Sequence, residues 1–82
     1  MDKDVFLSGL KMQFEESDAL KLAMDTKFKA LATWDSLTKF SIIAFVEDDY
    51  KITMKNEDLN NIETPQALFE YIYDNTVKSD KI

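Results

Sequence analysis

The sequence predicts an all-α protein, a small four-helix bundle with three longer helices, one short helix and a long first loop. Its 82 residues make one small domain, residues 1–82, and 45% of them are hydrophobic, including six Phe, three Tyr and one Trp. This fraction is enough for a hydrophobic core, so disorder is not expected. The chain has one Gly and one Pro, too few turn residues for a many-stranded β fold.

The first helix is predicted near the N-terminus, where apolar residues recur at helical spacing. They are Val5, Phe6, Leu7, Leu10 and Phe14. Asp4 is the expected N-cap of this helix. Gly9 lowers helix stability by about 1 kcal/mol relative to Ala, so we expect its packing to compensate.

A long connection is predicted from Glu15 to Asp35, where the hydrophobic pattern is irregular. Scattered apolar residues are expected to anchor it to the core. They are Leu20, Leu22, Met24, Phe28 and Leu31. Loops of this length are uncommon in compact domains and often serve function.

The clearest helix is predicted from Ser36 to Tyr50, and it carries two apolar stripes. One stripe consists of Ile42, Ile43, Val46 and Tyr50, and the other of Leu37, Phe40 and Ala44. Together they exceed what one packed face requires. The helix is therefore either central, with several neighbours, or it presents apolar surface to a partner.

Two further helices complete the prediction. A short one is expected from Glu57 to Asn61. The last begins with Thr64 as cap and Pro65 at the first helical position, the arrangement that both residues favour. Its inner face is predicted to contain Leu68, Phe69, Ile72 and Tyr73.

Composition excludes several classes of function. Without His or Cys the chain has no Ser-His pair, no cysteine nucleophile, no disulfide and no ordinary zinc site. A net charge of −6 disfavours nucleic acid. By itself this charge is explained best by the solubility of a small protein, and the alternative is that it steers the chain toward partners with basic patches. We expect no signal peptide and no membrane span, and therefore a cytoplasmic location.

Asp35 and Ser36 stand directly before the clearest helix, where side-chain oxygens cap free backbone N–H groups. On local pattern alone a structural cap is favoured over a functional serine. The acidic residues Glu47, Asp48, Asp49, Glu57 and Asp58 lack the Gly and the spacing of a calcium loop. They form either a solvated helix end or a docking surface for basic partners. Trp34 is expected at the rim, where its ring packs on the loop or meets a partner.

The stretch "WDSLTKFSIIAFVEDDYKITM", residues 34–54, resembles the central segment of an acyl carrier protein. Its parts are Asp-Ser-Leu, an apolar helix that ends in acids, an aromatic residue and a short aliphatic stretch. The resemblance continues through "NEDLNNI" and "ETPQALFEYI" and covers nearly the whole chain.

The resemblance implies a carrier rather than an enzyme. In that family the serine matched by Ser36, between Asp35 and Leu37, is esterified with 4′-phosphopantetheine, which a phosphopantetheinyl transferase takes from coenzyme A. The arm's thiol holds an acyl group as a thioester. Expected partners are an acyl ligase, a ketosynthase or an acyltransferase with a basic docking patch, and the chain is expected to be monomeric. The partner-binding residues would be Trp34, Lys39, Phe40, Glu47, Asp48, Glu57 and Asp58. No metal is expected.

Departures from the family pattern favour a dedicated biosynthetic pathway over housekeeping fatty-acid synthesis. Thr33 stands where many members have Gly, and Thr38 and Ser41, with Lys39 between them, stand where fatty-acid members carry acids. Two alternatives stay open: an aminoacyl or peptidyl carrier, and an unmodified helical adaptor with the same fold. A small hydrolase is the weakest alternative. The sequence identifies neither the cargo nor whether the core shelters it among Phe28, Ile43, Phe45 and Ile72.

Overall fold

Five α-helices and one 3₁₀ turn follow one another in a computed structural model, which describes residues 2–80 and the side chains of residues 2–76. Their order is α1 (Lys3–Lys11), α2 (Glu16–Ala19), the 3₁₀ turn (Phe28–Ala30), α3 (Ser36–Tyr50), α4 (Asn56–Asn60) and α5 (Pro65–Asp80). Residues 2–80 contain no β-strand. The predicted all-α class is confirmed, with more short helices than the sequence indicated.

Helix α1 begins earlier than predicted because Asp2, not Asp4, is its N-cap. The Asp2 carboxylate accepts hydrogen bonds from the backbone N–H of Asp4 at 2.8 Å and of Val5 at 3.4 Å. Asp4 lies in the first turn, where the helix dipole favours negative charge. Phe6 and Leu10 are buried as expected, whereas Val5 is exposed on the solvent face.

The predicted long loop, residues 15–35, is partly helical, because α2 and the 3₁₀ turn lie within it. Backbone hydrogen bonds join it to the segment before α5 and to the first turn of α5. The Phe28 N–H donates to the Glu63 carbonyl at 3.1 Å, and the Gln66 N–H donates to the Met24 carbonyl at 2.9 Å. Phe28 is fully buried, but Leu20 is exposed and is not an anchor.

Helix α3 has the predicted boundaries and packs against α1, α4 and α5. The helix is central, with several neighbours, and part of its second stripe is also exposed. Ile42 and Val46 are fully buried, while Leu37 and Phe40 are 75% and 54% exposed. The helix ends at Tyr50, because its C-cap, Lys51, has a left-handed backbone (φ 58°) that does not continue the helix.

The last two helices need small corrections. Helix α4 runs one residue earlier than predicted, Asn56–Asn60. Helix α5 begins at Pro65 as predicted, and Thr64 Oγ1 accepts the Ala67 N–H at 3.1 Å. Leu68, Phe69 and Ile72 are buried, but Tyr73 is half-exposed and does not belong to the inner face.

The Phe6 ring joins three helices at the centre of the core. Its centroid lies 6.1 Å from the Phe45 ring and 6.2 Å from the Tyr50 ring, both on α3. It also lies 5.4 Å from the Phe69 ring on α5, in an edge-on arrangement.

In the described part of the chain, no helix is long and apolar enough to cross a membrane.

Candidate functional site

The candidate site lies at the start of α3, where Asp35 is the N-cap. Its backbone is extended, and its Oδ1 accepts the Thr38 N–H at 2.9 Å and the Thr38 hydroxyl at 3.1 Å. These bonds, that from the Thr38 N–H above all, hold the pKa of the Asp35 carboxyl below its ordinary value. The cap is therefore a carboxylate at neutral pH.

Ser36 is the first residue of α3, and it is not the N-cap, because Asp35 makes the capping hydrogen bond. The side chain is exposed, and within the described part of the chain its hydroxyl makes no hydrogen bond. First-turn N–H groups and the helix dipole favour negative charge beside it. The arrangement presents an unengaged alcohol where an attached phosphate would be stabilised.

The Trp34 ring packs inward rather than standing free on the surface. Its centroid lies 5.4 Å from that of Phe28 at an interplanar angle of 30°, and 6.3 Å from that of Phe14. The residue is half-buried at the edge of the core. It fixes the chain immediately before Asp35, which leaves a smaller part of the ring for a partner.

Asp18 is a positioning residue that the sequence analysis missed. It is 1% exposed, and its Oδ2 accepts the Thr33 N–H at 2.8 Å and the Thr33 hydroxyl. These two bonds, that from the hydroxyl first, lower the pKa of Asp18 against the effect of its burial. They tie α2 to the segment before the site. An acid in a polar stretch such as "ESDA" gives no sequence signal for such a role.

Two predicted partner residues, Lys39 and Phe40, follow Ser36 on α3 and have different surroundings. Phe40 is more than half exposed, as is Leu37 beside the serine. The Lys39 ammonium donates to the Asn60 side-chain oxygen at 2.8 Å. Lys39 therefore joins the start of α3 to the end of α4 in this structure.

The predicted acidic residues divide into exposed and engaged groups. Glu47, Asp48 and Glu57 are exposed. Asp58 is half-buried, and its Oδ2 accepts the Lys55 N–H and the Tyr71 hydroxyl, both at 3.1 Å. Its carboxylate therefore holds α4 against α5, a structural role that the sequence analysis did not foresee.

An open groove of about 360 Å³ lies between α1 and α3. Its lining includes Gly9, Met12, Ala44 and Phe45, with Asp48 and Asp49 toward the end of α3. Of the four core residues considered from the sequence as a shelter for cargo, the groove contains Phe45 alone. Phe28 and Ile72 are fully buried.

The side chains of residues 2–76 contain no group of three acids placed to hold a metal ion. No family model and no solved structure matches the chain. A protein of the Onion yellows phytoplasma (strain OY-M), named acyl carrier protein, is 34% identical to it over 59 residues. The similarity covers 72% of this chain and 78% of that protein.

Proposed function

The chain belongs to the acyl carrier protein family, a family of non-catalytic carriers, and we propose that it carries acyl intermediates as thioesters on a 4′-phosphopantetheine arm attached to Ser36. The observation that carries the proposal is the separation of roles at the start of α3. Asp35 caps the helix, and the Ser36 hydroxyl is exposed and unengaged within the described chain. A serine needed only as a cap would make the capping bond itself.

The proposed attachment transfers the phosphopantetheinyl group from the diphosphate of coenzyme A to the alcohol oxygen of Ser36. The Ser36 oxygen forms a bond to the pantetheine-side phosphorus of coenzyme A, and the bond from that phosphorus to the bridging diphosphate oxygen breaks. Adenosine 3′,5′-bisphosphate leaves, and the hydroxyl proton passes to a base of the transferase. Bound in this way, the arm supplies the thiol that forms the thioester, a group that a chain without Cys lacks.

We also propose the four-helix arrangement of this family, formed by α1, α3, α4 and α5. The packing of α3 against the other three helices and of α1 against α5 supports it. Helix α2 and the 3₁₀ turn would then belong to the long first connection. The chain would act as a monomer that docks on its enzymes one at a time.

The proposed partners are a phosphopantetheinyl transferase and an acyl ligase, ketosynthase or acyltransferase with a basic docking patch. Glu47 and Asp48 support this because they are exposed in the last turn of α3, where the helix dipole disfavours negative charge. Exposed Phe40 adds apolar area to the same helix. Binding to a basic partner would explain acids at a position that is unfavourable for the helix.

We propose that the carrier serves a dedicated biosynthetic pathway rather than housekeeping fatty-acid synthesis. This proposal is supported by the start of α3, which has no acid in its first turn. Binding to a fatty-acid ketosynthase tests it, and tight, productive binding would contradict the proposal. Offering candidate ligases a panel of fatty and amino acids separates an acyl carrier from an aminoacyl carrier.

The decisive experiment is intact mass spectrometry after incubation with coenzyme A and a broad-specificity phosphopantetheinyl transferase. We expect a gain of one phosphopantetheine in the wild type and in Ser41→Ala, a matched change on the same helix. Ser36→Ala should gain nothing. If the folded wild type gains no mass with several transferases, including a cognate one, Ser36 is not an attachment site and the unmodified adaptor is favoured.

A further inference from the structure

Two lysine ammonium groups meet at one residue close to the start of α3. Lys39 Nζ donates to the Asn60 side-chain oxygen, and Lys29 Nζ donates to the Asn60 carbonyl oxygen, each at 2.8 Å. Lys29 comes from the 3₁₀ turn, Lys39 from α3 and Asn60 from the end of α4. Three separate elements thus bring two positive charges to one place.

Lys39 connects this pair of cations to Ser36. Lys39 follows Ser36 by three residues, so the two side chains are neighbours on the surface of α3. Side chains on an α-helix point back toward its N-terminus, which directs Lys39 to the turn that Ser36 begins. The Lys39 ammonium can therefore reach a group attached to the serine by rotation of its own side chain.

The acceptors of both ammonium groups are neutral amide oxygens. Among the side chains of residues 2–76, neither lysine forms an ion pair with a carboxylate, although the chain has 16 acids against 10 basic residues. Burial is the main cause that lowers the pKa of Lys29; the Glu63 charge raises this pKa, and the Lys39 charge lowers it to a smaller extent. An anion between the two ammonium groups would relieve their repulsion.

We propose that Lys39 and Lys29 bind the phosphodiester that joins the arm to Ser36. The inference rests on the proposed function. Asn60 holds the two ammonium groups in place before the arm is attached, and a phosphate oxygen then replaces or joins the amide oxygen as acceptor. The first-turn N–H groups of α3 stabilise the same charge from the other side.

The test compares unloaded and loaded protein. The loaded form is prepared with coenzyme A and a transferase, and intact mass spectrometry verifies the state of each sample. For each form the midpoint of thermal unfolding, Tm, is measured at low salt. The compared quantity is the Tm of the loaded form minus the Tm of the unloaded form. We expect this difference to be about 3 °C lower in Lys39→Met and in Lys29→Met than in the wild type. Lys39→Arg should keep the wild-type change, and high salt should reduce the difference.

Lys55→Met is the matched control, since it removes the same charge from an exposed lysine that makes no side-chain hydrogen bond in the described chain. It should respond to loading as the wild type does. If the variants do not fold, the Cε–Hε NMR signals of Lys39 and Lys29 in the wild type provide the test, because they should move on loading.

The outcomes separate the two proposals. No gain of mass in any form overturns the proposed function together with this inference. A loaded wild type with the same loading effect in all lysine variants, or with unmoved lysine signals, overturns the inference alone. In that case the two lysines serve only to join α3, α4 and the 3₁₀ turn.

Discussion

Gly9 shows at the scale of one residue how packing compensates for a poor helix former. A Cβ atom built on Gly9 would lie 2.7 Å from Cε1 of Phe45. The Phe45 ring is buried and meets the Tyr50 ring edge-on at 5.7 Å. The missing side chain therefore allows α1 to approach α3 closely, as the sequence led us to expect.

We expect Gly9→Ala to destabilise the protein by about 1 kcal/mol in urea unfolding. Alanine favours the helix by about 1 kcal/mol, but overpacking against a confined ring costs roughly 1–3 kcal/mol. In a Phe45→Leu background the ring is absent, so the same change should be neutral or stabilising. An equal loss in both backgrounds would show that the Phe45 contact is not the cause.

Asp18 and Asp35 make stability depend on pH in a known direction. Hydrogen bonds from Thr33 and Thr38 hold their folded pKa values below the ordinary 3.8. Each carboxylate therefore makes its full contribution to the free energy of unfolding at neutral pH, well above the unfolded pKa. It is lost as pH falls below 3.8 and through the lower folded pKa.

Carbon-13 NMR should show both carboxyl groups titrating with midpoints below 3.8. Asp18→Asn should be less stable than the wild type at neutral pH, and the difference should shrink in acid as the wild-type carboxylate takes up its proton. Asp25→Asn, at an exposed acid in the same first connection, is the control and should leave stability unchanged. A difference for Asp18→Asn that is constant with pH would contradict this assignment.

Helices α3 and α5 could be predicted from the sequence because local chemistry determines where they begin. The cap at Asp35 and the Thr64-Pro65 pair act within one turn. Helix α2 and the 3₁₀ turn could not be predicted, since four and three residues are too few for periodicity. They depend on distant contacts, such as that between the Phe28 N–H and the Glu63 carbonyl.

The same distinction applies to the candidate site. The sequence predicted the candidate site at Asp35 and Ser36 but did not decide which of them caps the helix, because both are good caps. It did not indicate that Asp58 binds Tyr71, thirteen residues later. The solvent-facing positions of Val5, Leu20 and Tyr73 were also missed, since an apolar residue near a periodic pattern need not be buried.

Charge reversal should change the free energy of unfolding in opposite directions for an acid at the end of α3 and an acid at the start of α4. Asp48 lies in the last turn of α3, where a positive charge is favoured, and Glu57 lies in the first turn of α4, where a negative charge is favoured. We expect Asp48→Lys to raise the free energy of unfolding by about 0.5 kcal/mol and Glu57→Lys to lower it similarly. Thermal unfolding at low salt measures both.

Binding distinguishes function from stability at these positions. If both acids contact a basic partner, Asp48→Lys and Glu57→Lys should both weaken its binding, most strongly at low salt. The stabilised Asp48→Lys protein would then bind less well than the wild type. Unchanged binding of both variants to a productive partner would exclude these residues from the docking surface.

Aromatic rings divide between the core and the surface when the whole molecule is considered. Phe6 is fully buried and contacts rings on α3 and α5, whereas Phe40 is 54% exposed on α3. A domain of this length has a total stability of roughly 4–12 kcal/mol. One core ring can therefore account for a large share of it, and a surface ring cannot.

Phe6→Ala should cost about 3–5 kcal/mol, because it leaves a cavity where three helices meet. Phe40→Ala, the same chemical change at the surface, should cost about 0.5 kcal/mol. Denaturant unfolding and near-ultraviolet circular dichroism compare them. If Phe40 contacts a docked enzyme, Phe40→Ala should weaken the binding of that enzyme although the protein stays folded. Equal losses of stability would mean that Phe40 belongs to the core, leaving α3 without an apolar docking residue at this position.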